Sequence, residues 1–171
     1  MAPGRVACDV GPPAKQSFSF DIMPRIQRIL VPIDFSGSTS LTLRCAAEMA
    51  KTFSARLTLY HVLHTVLPPA TPVPWALEQW SEESEKDAAS RLRELAASLG
   101  GDVQSEIAVE AGVPWDSIVG RATKDGSDLI VMATHGRTGL KHVLLGSVAE
   151  RVSRHAPCSV MIVRQHAIPA S

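Results

Sequence analysis

The chain has 171 residues, enough for about one domain with a single buried core. Its 17 basic and 17 acidic residues cancel, so no overall field draws it to nucleic acid or to an anionic membrane surface, and any anion must be held by a local site. The apolar runs, such as those at 28–33 and 129–132, fall far short of the about 20 residues that span a bilayer, which predicts a soluble protein with no membrane partner.

Residues 1–24 contain Gly4, Gly11, Pro12 and Pro13 but no continuous apolar run, so they read as a loose, disordered tail and not as a secretory signal. Met23 offers a second possible start. Cys8, Cys45 and Cys158 are odd in number and share no metal-ligand spacing. That pattern points to a reducing compartment, and the expected location is the cytoplasm.

A regular pattern begins near residue 25 and extends to 166, leaving a short tail at 167–171. "RIQRILVPIDF" is rich in Ile and Val and reads as a strand buried on both faces. Ser36 to Ser40 offer N-caps for a helix whose apolar positions run from Leu41 to Phe53. "ARLTLYHVL" is the second strand. A Pro-rich insert at 68–74 follows, then a charged helix from about Glu78 to Leu99 that stops at Gly100 and Gly101. "VQSEIAVEAG", "PWDSIVGRATKDG" and "SDLIVMAT" continue as strand, helix and strand, with Pro114 in the helix's first turn. A Gly-rich loop, a helix from about Ser147 to His155 and a last strand, "CSVMIVRQ", complete the pattern. Strands alternating with helices predict an α/β sandwich with a five-stranded parallel sheet.

The loop "MATHGRTGLKHVLLGS" leaves the carboxyl end of the fourth strand, the edge where open parallel sheets bind ligands. Gly136 and Gly139 let a ligand approach the backbone, and Gly146 with Ser147 presents N–H groups at a helix start, where the macrodipole attracts an anion. The plainer reading is a βα connection with Ser147 as N-cap. Neither a Walker A spacing nor a G-x-G-x-x-G fingerprint is present. The loop is longer than either, so its centre must bulge out and bring Gly146 back beside the strand end. Asp34, just after the first strand, faces the same crevice if strands one and four flank the switch point. A carboxylate there accepts hydrogen bonds from ribose hydroxyls; the alternative is a helix cap. Val62 would supply an apolar wall for a purine.

Together "RILVPIDFS", "LYHV", "ATHGRTGLKHVLLGSVAERV" and "APCSVMIVR" resemble the universal stress protein family over residues 25–164. The resemblance implies a Rossmann-like, adenine nucleotide alpha hydrolase-like sheet of order 3-2-1-4-5. Its ATP-binding branch carries G-x-x-G-x9-G-[ST], which this chain matches at Gly136, Gly146 and Ser147, with Ala133 where the first glycine stands. Carried over by position, the resemblance implies adenine near Pro32, Ile33 and Val62, ribose near Asp34, Met132 and Ala133, and phosphates at Gly136, Arg137, Gly146, Ser147 and Val148. Mg²⁺ would enter with the ATP. The uncharged last strand, Val160, Met161, Ile162 and Val163, would lie at a sheet edge and pair with its own copy in a homodimer.

His61, His135 and His142 form no metal spacing and have no nucleophile beside them. Lys141 reads as a solvated loop charge, and Cys158 as a small buried residue. Trp75 and Trp80 suit either a lid or a cover for the core edge. No acid stands ready to activate water, so the leading expectation is an ATP-binding, nucleotide-responsive module of the stress response, with an unidentified protein partner and at most slow hydrolysis. One alternative is an interaction protein of the same fold without nucleotide, favoured by Ala133. Another is an adenylating enzyme, faintly suggested by "SGSTS" at 36–40.

Overall fold

The computed structural model describes residues 25–64, 74–134 and 145–164, with the backbone alone for 74–81. The expected tails, the loop glycines Gly136 and Gly139, Arg137, Lys141, His135, His142 and the side chains of Trp75 and Trp80 lie outside the described residues.

The elements run β1 (Arg28–Pro32), α1 (Thr39–Phe53), β2 (Arg56–His64), α2 (Pro74–Ala97), β3 (Ser105–Gly112), α3 (Pro114–Asp125), β4 (Leu129–Ala133), α4 (Ser147–His155) and β5 (Ser159–Val163). All strands are parallel, in the order β3-β2-β1-β4-β5. β1 is central: Ile29 pairs with Leu57 on one side and with Leu129 on the other. A strand buried on both faces has no polar alternation, which is why β1 and β4 read as short apolar runs.

Two cores follow from the strand pleat. Ile29, Val31, Leu57, Leu59, Leu129 and Val131 face Leu43, Ala46 and Ala50 of α1 and Leu92 of α2. Leu30, Tyr60, Ile130 and Met132 face Ile118 and Ala122 of α3 and Ala149 and Val152 of α4. Each large aliphatic side chain buried here stabilises the fold by about 1.5–3 kcal/mol.

Several boundaries differ from the sequence expectation. α2 begins at Pro74, about one turn before Glu78, and ends at Ala97; proline fits a first helical position because its missing N–H has no partner there anyway. Ser38 is the N-cap of α1 but makes no side-chain capping bond. α4 is capped by Gly146, so Ser147 is its first helical residue and not the cap. Val163 is buried in the α1-side core, whereas Met161 of the same strand is exposed. Cys158 is only partly buried.

A polar cluster ties β2, β3 and α3 together. The fully buried Tyr60 donates its hydroxyl to Glu110 Oε2 at 2.8 Å, and Arg121 Nη1 donates to Glu110 Oε1 at 3.1 Å while its Nε pairs with Asp125. Sequence reading missed this cluster. Its signal was a tyrosine on a buried strand, whose hydroxyl must find a partner.

Candidate functional site at the carboxyl edge of the sheet

The reversal of strand order falls between β1 and β4, whose carboxyl ends therefore open a crevice. Strand alternation sends Pro32 to the α3/α4 side with Leu30, and Val62 and Met132 pack on that side too. The chain returns from the long loop to this crevice. Gly146 N–H donates to Thr134 O at 2.8 Å, and Thr134 N–H donates to Val163 O at 3.2 Å, so the start of α4 is tied to the end of β4.

α4 then begins with its first N–H groups, Ser147 and Val148 among them, lacking intrahelical acceptors, as in any helix. Val148 packs its side chain into the α3/α4-side core, so only its backbone serves the edge. Gly146 has φ −69° and ψ 153°, extended values that any residue adopts. Its glycine character is therefore not a matter of backbone strain.

Asp34 follows β1 and is half-buried. Its Oδ1 accepts the Ser36 N–H at 3.0 Å, an Asx turn two residues long, so it does not cap α1, which begins at Thr39. Ala133, the substituted glycine position, pairs with Val163 and has no positive φ. Alanine therefore sits there without backbone strain. Only its methyl distinguishes it from glycine.

Ile33 stands apart from the other expected contacts. Its side chain belongs to the α1/α2-side core, its N–H donates to Tyr60 O at 2.7 Å, and its carbonyl accepts from His61 Nδ1 at 2.6 Å. A carbonyl only accepts, so Nδ1 of His61 carries the proton. His61 is buried and acts as a brace for the strand end.

The residue after Asp34 escaped sequence reading. Phe35 has φ 58°, which costs a residue with a side chain about 1–2 kcal/mol. Its ring lies 4.6 Å from that of His61, and the Arg91 guanidinium of α2 stands 3.9 Å from the ring centre. These contacts form the wall of a cleft of about 440 Å³ lined by Phe35, His61, Leu63, Asp87 and Arg91. An aromatic residue gives no sequence signal for a left-handed backbone.

The Universal stress protein family profile matches residues 25–164. The chain belongs to the universal stress protein family. A universal stress protein of Methanocaldococcus jannaschii, MJ0531, is 34% identical over 142 residues, covering 81% of this chain and 82% of that protein. The solved universal stress protein UspA from Lactobacillus plantarum is 26% identical with a TM-score of 0.68, covering 83% of this chain and all of the other. A universal stress protein from Archaeoglobus fulgidus, solved in complex with dAMP, shares the fold at 24% identity and a TM-score of 0.51, covering 81% of this chain and 98% of that one. No described helix is long and apolar enough to cross a membrane.

Proposed function

We propose that this universal stress protein binds ATP at the β1/β4 crevice and acts as a homodimeric, nucleotide-responsive module of the cytoplasmic stress response, signalling to a protein partner. The observation that carries the reading is the return of the chain to Thr134, which sets the N-terminus of α4 on the same edge as Asp34, Val62 and Met132. Helix N-terminal amides suit phosphate, a carboxylate suits ribose hydroxyls, and the apolar pair suits a purine. The dAMP complex of a protein with this fold supports an adenine nucleotide as ligand.

In this reading Pro32 and Val62 flank the adenine, Asp34, Met132 and Ala133 the ribose, and Gly136, Arg137, Gly139, Gly146, Ser147 and Val148 the phosphates. Ile33 fixes the end of β1 beside the adenine, its side chain lying in the α1/α2-side core and its backbone donor and acceptor already engaged. Among the described residues no three His, Cys, Asp or Glu side chains gather as a metal cage. Mg²⁺ would enter with the nucleotide, held chiefly by phosphate oxygens and water.

ATP with Mg²⁺ at a hundred times Kd should stabilise the fold by about 2.7 kcal/mol, a rise in Tm of roughly 5–10 °C for a domain of this size. Asp34→Ala should weaken ATP while sparing tripolyphosphate. Gly146→Val should weaken both; the glycine's dihedrals suit any residue, and an unchanged ligand-free Tm assigns the loss to blocked approach. A Tm indifferent to millimolar ATP, together with no nucleotide on the purified protein, would replace this reading with that of an interaction protein.

A further inference from the structure

Among the described residues two without glycine's freedom have positive φ, Phe35 and Ser54. Ser54 closes α1 as its C-cap, a place where the left-handed conformation is routine. Phe35 ends no helix. Its neighbours in sequence are Asp34 and Ser36, which close the Asx turn of the site.

The turn needs this backbone, and tertiary contacts hold it there. His61 is fixed through Nδ1–H to Ile33 O at 2.6 Å and presents its ring to Phe35. Arg91 reaches over from α2 to the same ring, and one turn earlier Asp87 lies 3.9 Å from its guanidinium. The ring is thus held between a strand and a helix, and its backbone is held with it. Rotation of Phe35 to a negative φ would turn the Asp34 carboxylate relative to Ser36 and break the turn.

We infer that Phe35 and Arg91 are positioning residues for Asp34, so that helix α2, which does not itself line the crevice, sets the carboxylate on which nucleotide selectivity depends. The selectivity half rests on the proposed ATP site. The clamp itself stands on the geometry alone.

Arg91→Met keeps helix propensity and the apolar stem while removing the charge above the ring. In ligand-free protein, hydrogen exchange at the Ser36 amide should quicken about threefold, the factor of a half-exposed cation–π contact, while Ile33 N–H, bonded to Tyr60 O, is unchanged. Arg91→Lys should restore the slower exchange. Phe35→Gly relieves the backbone, so it folds, yet loses the ring and should loosen Ser36 at least as much. In the same variants ATP should weaken about threefold with tripolyphosphate unmoved. Unchanged Ser36 exchange in Arg91→Met overturns the inference. Equal losses for ATP and tripolyphosphate also overturn it, since the helix would then be acting through the phosphate end. If the wild type takes up no ATP, the site reading falls while the Ser36 exchange still decides whether α2 holds the turn.

Discussion

Tyr60 shows how much one buried polar atom demands of its surroundings. Burial pushes its hydroxyl pKa well above the ordinary tyrosine range, and the hydrogen bond to Glu110 and that residue's charge push it further, so it remains a donor wherever the protein folds. Partial burial works against the Glu110 carboxylate, but hydrogen bonds from Tyr60 and Arg121, with the charges of Arg121 and Lys124, hold its pKa below the usual value. Because the folded-state pKa is the lower one, Glu110 contributes stability above its unfolded value of about 4.3, and the contribution is lost as pH falls through the folded value. Urea denaturation of wild type and Glu110→Gln should therefore differ at neutral pH and converge in acid. The gap will be small, below about 1 kcal/mol, since the carboxylate is 40% exposed and water screens it. A gap that widens on acidification contradicts this account. Tyr60→Phe should cost about 1 kcal/mol, because water can reach the orphaned Glu110 oxygen.

At the level of the elements, the two helix ends with left-handed caps make opposite predictions. Gly126 closes α3 at φ 60°, and a β-carbon there would stand 3.1 Å from Arg28 Nη2. Gly126→Ala should thus lose about 1–2 kcal/mol, with the cost visible as a lower Tm. Ser54 closes α1 in the same conformation without glycine's freedom, and Ser54→Gly should gain roughly 0.5 kcal/mol, the strain relieved less the added unfolded-state entropy. Thermal melts of the pair check both signs. Gly126 was the last residue of the segment read as a helix, whereas Ser54 carried no mark of a helix end. The same contrast runs through the fold. The parallel five-stranded sheet followed from β-α alternation and apolar runs, since burial on both faces writes itself into composition, whereas its strand order came only with the family resemblance. The start of α2 did not, because Trp75, Ala76 and Leu77 follow a cluster of prolines and Pro74 read as the end of a loop when it is the first residue of a helix. At the site, Asp34 and the glycine spacing were readable because they are local. The clamp of Phe35 by Arg91 joins residues over 50 positions apart, and no local pattern encodes it.

For the whole molecule, the two sheet edges are unequal. β3 carries Glu106 and Glu110, which reach across to Thr58 and Tyr60; charges of this kind discourage pairing with another chain. β5 carries no charge and exposes Met161, which favours it as the seam of the proposed homodimer. Since Val163 lies in the core, Met161→Lys is the variant that tests the seam without disturbing the fold. Light scattering should find a dimer at tens of micromolar and a folded monomer in Met161→Lys. A monomeric wild type, or a dimer indifferent to the lysine, moves the interface elsewhere. The bond from Gly146 N–H to Thr134 O has a wider meaning for how such a chain is diversified. It holds together the two described ends of the segment between them. Doubling its length would cost only about 0.6 kcal/mol of closure entropy. Transplanting a stretch of different length between these two ends should change what is bound while the scaffold melts almost where it did.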